Sequence, residues 1–296
     1  MKTTLHILTL GLLTTFFSCG QPIDKKNIVV VTTDTLQTSL DKKEKERLEK
    51  RKEIEEKDNL DSLMLDKVLK EALTISTQNI GKGKFQKEYE AKPDNEYNVK
   101  VEISLDNHFT KLYPHLIIRR HGPNAVYIDI YTKNGINCEK VLSHEQWTME
   151  YMNDTIRDIN GDGFKDFVVN WYGSSGCCLK AFSNIYLLRP DKKTFSDNFE
   201  FINPTFSPKE KIIRGVCYGH PGETEMYKYK WDGEKVDTLE YVYYEKNEKG
   251  VKTGKIVIST DKPYGDKNIN LKTINSAPTE YRKIEGYDWF TGNGYE

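Results

Sequence analysis

The spacing of apolar and polar positions divides the chain into segments of different character. An apolar run from Leu5 to Phe17 follows a lone positive charge, Lys2. A bilayer span takes about 20 residues, so this run is too short to cross and has the form of a secretory leader. Between residues 42 and 57 only Leu48 and Ile54 are uncharged, too few to define a buried face. Opposite charges four apart, Glu46/Lys50 and Glu53/Lys57, favour a solvated helix, and no heptad seam persists. Residues 19–60 are therefore expected to be a charged tether. Leu65, Val68, Leu69, Ala72 and Leu73 then fall at helical intervals, which predicts an amphipathic helix over 61–75 capping the domain that follows.

After Gly81-Lys82-Gly83 the period becomes two. Val99, Val101, Ile103 and Leu105 alternate with polar residues along one predicted strand. Leu116–Arg119 and Ala125–Tyr131 come next, separated by the turn cluster His121-Gly122-Pro123-Asn124. Further strands are predicted at 139–142, 155–159, 167–172, 184–188, 212–218, 226–231, 236–245 and 255–259, with Asp232-Gly233 as a hairpin turn. Strands so closely spaced, with no helical pattern between them, imply an antiparallel, mostly β domain over 76–296 behind an N-terminal helix. Periodicity alone leaves a β-propeller-like fold, a meander and a sandwich open.

Composition narrows the function. With 44 basic and 45 acidic residues and a formal net charge of -1, the chain lacks the basic surplus of a nucleic-acid binder, and no nucleic acid is expected as partner. The leader ends in Phe17-Ser18-Cys19-Gly20, which resembles the bacterial lipobox. That resemblance implies a signal peptide over 1–18, cleavage before Cys19, lipidation of Cys19, and a place in the cell envelope, anchored on the periplasmic face of a membrane or at the cell surface. Several buried acyl chains make such an anchor effectively permanent.

The sharpest chemical feature is Asp158-Ile-Asn160-Gly-Asp162-Gly163-Phe164-Lys-Asp166. Ca2+ takes six to eight oxygen ligands, and here oxygen-bearing side chains stand at loop positions 1, 3, 5 and 9 with glycine at 6. Asp158, Asn160 and Asp162 are expected to bind through side chains, Phe164 through its carbonyl, and Asp166 directly or through water. Position 12, where an EF-hand carries glutamate, is Val169, and the flanks read as strands. The expected site is thus a calcium loop at a β-hairpin, with a structural role. Without an ion, the same residues would make an ordinary Asx-Gly turn.

This loop is similar to the FG-GAP or VCBS-type calcium hairpin of integrin-like β-propellers, over Thr155 to Asn170. The order of features from 97 to 245, with Ile212-Ile-Arg-Gly-Val-Cys-Tyr-Gly219 and Tyr227-Lys-Tyr-Lys-Trp231-Asp-Gly following the loop, resembles small β-propeller-like periplasmic lipoproteins with one calcium loop. That group includes an immunity protein that inhibits a peptidoglycan hydrolase delivered by a type IV secretion system. The resemblance implies binding and inhibition rather than catalysis. The expected partner is a protein, with a peptidoglycan hydrolase the candidate class, or alternatively a cell-envelope glycan.

Apart from Cys19, the cysteines are Cys138, Cys177, Cys178 and Cys217. An even number outside the cytoplasm points to disulfides. One of Cys177 and Cys178 is expected to pair with Cys217 and the other with Cys138; a vicinal ring is the strained alternative. Zinc is not expected, since no Cys-x-x-Cys occurs and His144 and His220 lack ligand spacing. No Gly-x-Ser-x-Gly, His-Glu-x-x-His or P-loop is present, so no enzyme is expected. Glu145 and Glu223 have no support as catalytic acids. The loop Tyr218-Gly-His220-Pro-Gly222-Glu223 is shaped for contact but reads first as a Pro-Gly turn. The segment Trp171-Tyr172-Gly-Ser-Ser-Gly176 offers aromatic contacts, or a core place for Trp171.

Overall fold

The computed structural model describes residues 33–93, 97–135, 137–263 and 270–294. The leader and Cys19 lie outside these residues. The chain divides into two units, 1–58 and 59–296. In the first, the described part is helix, exposed throughout 42–57, with an ion pair between Arg47 and Glu44 at 3.5 Å. The helix itself, α1 (Thr33–Asn79), is continuous. The boundary between the two units, at 58/59, falls beside the expected end of the charged tether at residue 60; no glycine or proline occurs between residues 33 and 79, and Gly83 beyond the helix takes φ 78°.

The second unit holds three antiparallel sheets, each with its strands in sequential order. The first contains β1 (Phe85–Ala91), β2 (Val99–Asp106), β3 (His115–His121), β4 (Ala125–Asn134) and β5 (Asn137–Trp147). The second contains β6 (Tyr151–Arg157), β7 (Asp166–Tyr172), β8 (Ala181–Tyr186) and β9 (Phe199–Ile202). The third contains β10 (Pro204–Ser207), β11 (Ile212–Val216), β12 (Met226–Asp232), β13 (Lys235–Lys246), β14 (Lys252–Ser259) and β15 (Asn270–Ile274). A short helix α2 (Tyr287–Thr291) closes the chain.

Side-chain alternation stacks these sheets in a row. On β2, Val99, Val101, Ile103 and Leu105 are buried as the pattern predicts, and pack with Leu116 and Ile118 of β3 against Leu65, Val68 and Ala72 of α1. The opposite face of the same sheet, with Ile117 of β3 and Ile128 and Ile130 of β4, meets Phe167 and Val169 of β7. Between those two residues, Val168 points the other way and joins Ile213, Tyr227 and Trp231 of the third sheet. The far face of that sheet, with Val216, Val242 and Ile256, is covered by Tyr281, Trp289 and Phe290. The middle sheet is thus buried on both faces, and the terminal helices cover the outer faces. Of the architectures left open by the sequence, this is an irregular sandwich of meanders, not a closed barrel.

Polar anchors fix the helix to the first sheet. Buried Arg120 donates to the Leu65 carbonyl at 2.9 Å and pairs with buried Asp129 at 2.8 Å. Lys133 Nζ reaches the Ile80 carbonyl at 2.9 Å. Stripping either partner from such a pair leaves an uncompensated buried charge.

Candidate metal centre

The loop 158–166 joins β6 to β7, and its acidic side chains first organise their own backbone. Asp158 accepts hydrogen bonds from the amides of Gly161 at 2.7 Å and Gly163 at 3.0 Å. Asn160 Oδ1 accepts from the Asp162 amide at 3.0 Å, and Asp162 Oδ1 from the Phe164 amide at 2.8 Å. Asn160 Nδ2 donates to Asp162 Oδ2 at 3.0 Å. These are the local side-chain bonds that favour Asx residues in turns. Each uses one lone pair of an oxygen that has another to offer.

Glycine is required at two positions. Gly163 has φ 88° and Gly161 φ 74°, which side-chain-bearing residues rarely adopt. At Gly161 a Cβ would also stand 2.0 Å from the Pro208 carbonyl oxygen. Pro208 begins the 3-10 turn between β10 and β11, so the loop packs directly on the third sheet. Sequence reading singled out Gly163 but missed Gly161, whose constraint arises from a residue far along the chain.

Asp166 stands apart from the other acids. It is fully buried, with one carboxylate oxygen accepting from the Ile159 amide at 2.8 Å and the other from the Leu188 amide at 3.0 Å. Burial pushes its carboxyl up to about 7; the two amide bonds oppose that rise, and Asp162 and Asp158 add to it. Among the described residues no lysine or arginine forms an ion pair with Asp158, Asp162 or Asp166. Asn160 is buried while Asp162 is exposed, and both border a cavity shared with Leu188, Lys211 and Trp231. Phe164 is half-buried beneath the ammonium of Lys192, 5.6 Å from its ring centre. The side-chain donors of the loop are all oxygen, the type a hard cation takes, but the carboxylates of Asp158, Asp162 and Asp166 do not gather within 4.8 Å of one another, and Lys211 lines the same cavity.

No protein family, characterised protein or solved structure matches this chain.

The expected disulfides do not form. Cys138, Cys177, Cys178 and Cys217 are all free thiols. Cys138 packs in the helix-covered cluster of the first sheet, Cys178 beside α2, and Cys217 between the second and third sheets. Cys177 is exposed and belongs to none of these clusters. Cys177 and Cys178 approach each other at 3.7 Å, well beyond the ~2.05 Å of a disulfide.

Several other polar groups have structural partners. His144 Nδ1 meets the Tyr186 hydroxyl at 2.8 Å, and burial pushes its imidazole down to about 4. Arg119 Nε donates to Asp154 at 2.7 Å. Trp171 stacks on Phe182 with ring centres 4.1 Å apart and donates to Asn184, so of its two sequence readings the packing role is the one observed.

Outside the core, four large apolar side chains on or between β5, β6 and β7 are exposed. Trp147 is 48% exposed, Met149 75%, Met152 59% and Tyr172 41%. Glu150 holds this region in shape: its carbonyl accepts from the Tyr172 amide at 2.8 Å, and its carboxylate accepts from the Ser174 amide and hydroxyl at 3.1 and 3.0 Å.

Proposed function

We propose that this chain is a lipid-anchored, calcium-stabilised binding module of the bacterial envelope, non-enzymatic, that holds or inhibits a protein partner, with a cell-wall hydrolase the expected class. The observation that carries the binding reading is the exposure of Trp147, Met149, Met152 and Tyr172. Aromatic and methionine side chains exposed to solvent near one another in the chain are enriched at protein interfaces. Methionine supplies adaptable apolar contact but no flat π face, which favours a protein over a glycan as the occupant.

The calcium reading is supported by the residue types of loop 158–166, where Asp158, Asn160 and Asp162 alternate along a turn ordered by their own hydrogen bonds and form no ion pair with a basic residue among the described residues. When bound, the ion supplies charge neutralisation and a cross-link. Asp158, Asn160 and Asp162 would hold it, with the Phe164 carbonyl and the remaining lone pairs of Asp166. Because Gly161 rests on Pro208, an ion here would also stiffen the junction of the second and third sheets.

The test is site-specific photo-crosslinking from Met149 in cells, with Leu239 on β13 as a control position. The expected product is a covalent adduct with a protein, a peptidoglycan hydrolase, seen from Met149 and not from Leu239; purified chain then inhibits that hydrolase on isolated cell walls. Binding of cell-envelope polysaccharide with no protein adduct would favour the glycan alternative, and neither result would remove the binding reading.

A further inference from the structure

We propose that Cys177, Cys178 and His220 form a zinc site with its fourth coordination position open to solvent. Their three donor atoms lie within 4.8 Å of one another. The cysteines stand on the loop after β7 and the histidine on the loop after β11, so sequence spacing conceals the group.

Both loops are held by the core. The first is closed at its base by the Gly173 amide donating to the Lys180 carbonyl at 2.9 Å. Within it Gly176 takes φ 95°, and the chain bends through 174–178. Adjacent side chains that would diverge on an extended strand therefore converge. The second loop is fixed by Trp289, whose indole donates to the Gly219 carbonyl at 2.9 Å and whose carbonyl accepts from the Gly222 amide at 2.7 Å. Cys178 and Trp289 share one buried cluster, so the two loops are positioned against common packing.

The two spacings from Cys177 match a tetrahedral ion, and the third, Cys178 to His220, lies within 4.8 Å. With Zn–S at about 2.3 Å and Zn–N at about 2.05 Å, two thiolates on one zinc stand about 3.8 Å apart, and a thiolate and an imidazole nitrogen about 3.6 Å. The observed separations are 3.7 Å between the two sulfurs and 3.6 Å from Cys177 Sγ to His220 Nδ1. Cys177 and His220 are exposed while Cys178 is buried, which leaves an approach for the ion and a position for water. Sulfur and nitrogen donors select a soft or borderline cation, so this group complements the all-oxygen loop. Two thiolates and a neutral imidazole balance the divalent charge, and binding releases the two thiol protons.

The test is titration of the reduced full chain with Zn2+, in excess Ca2+ to fill oxygen sites, and with Co2+ as a spectroscopic probe. The expected result is one zinc per chain and a tetrahedral cobalt spectrum with thiolate charge-transfer bands. Cys177→Ser and His220→Ala alter exposed side chains and leave the fold intact. Each should weaken zinc by more than about 100-fold, beyond the 10–100-fold effect of losing an outer-shell partner, while Cys138→Ser leaves it unchanged. Absence of stoichiometric uptake by the reduced chain, an octahedral cobalt spectrum, or equal affinity in both variants would overturn the proposal. A chain isolated with Cys177 and Cys178 oxidised is reduced first and judged by the same titration.

Discussion

The buried carboxylate of Asp166 accepts a hydrogen bond from the backbone amide of Leu188 at 3.0 Å. With its second oxygen on the Ile159 amide, Asp166 ties loop 158–166 to the chain leaving β8. The loop is thereby part of the core, and its acids can be tested through stability.

Asp166→Ala orphans two buried amides, each costing about 1–3 kcal/mol. Chemical denaturation of the metal-free chain should show a loss of roughly 2–6 kcal/mol. Asp166→Asn, which keeps one acceptor, should lie between wild type and alanine.

The helix segment from Asn59 onward belongs to the β unit. A chain beginning at Asn59 should retain the thermal midpoint of the β unit. A chain beginning at Ser76 uncovers Val99, Val101, Ile103 and Leu105 and removes the Leu65 acceptor of Arg120. It should unfold at a much lower temperature or fail to fold, as differential scanning calorimetry will show.

His144 gives a pH dependence of known sign. Its imidazole protonates near 6.5 in the unfolded chain, but burial lowers that to about 4 in the folded one. The unfolded chain therefore takes up the proton first. Stability from this group is complete above about pH 6.5 and is lost as pH falls toward 4. His144→Phe retains a packed ring and loses the Tyr186 bond. The stability gap between wild type and variant, measured by denaturation, should narrow from pH 7 to 4.

Met149→Ala changes a side chain that is largely in solvent. Stability should stay within about 0.5 kcal/mol, while partner capture in the crosslinking experiment is lost.

The strands with strict alternation were legible in the sequence because burial on one face imposes a period of two. β2 and the hairpin between β12 and β13 are examples; the turn residues of the latter are Gly233 and Glu234, since Asp232 pairs with Lys235. β1 was not legible: it is an edge strand on which Lys87, Glu88 and Glu90 reach solvent, so its pattern reads as charged chain. β9 and β10, of four residues each, are too short to show a period. In the site, the ligand types and Gly163 were visible from local spacing. The second role of Gly161, the enclosure of Asp166, and the meeting of His220 with Cys177 were not, since each depends on contacts between loops distant in sequence.

Calcium occupancy carries the stability claim. At calcium a hundred times the Kd, mass action adds about 2.7 kcal/mol, which for a chain of this size raises the midpoint by roughly 5–10 °C. Asp162→Ala, at an exposed position, should abolish the rise without unfolding the metal-free protein.

The most direct measurement is calorimetric titration of the metal-free chain with Ca2+, performed in a Cys177→Ser/His220→Ala background so that only the oxygen loop can respond. One bound calcium per chain, eliminated by Asp158→Ala or Asp162→Ala, is the predicted result. An absence of binding heat together with a midpoint indifferent to calcium would contradict it, and would leave loop 158–166 as an Asx turn stabilised by its own hydrogen bonds.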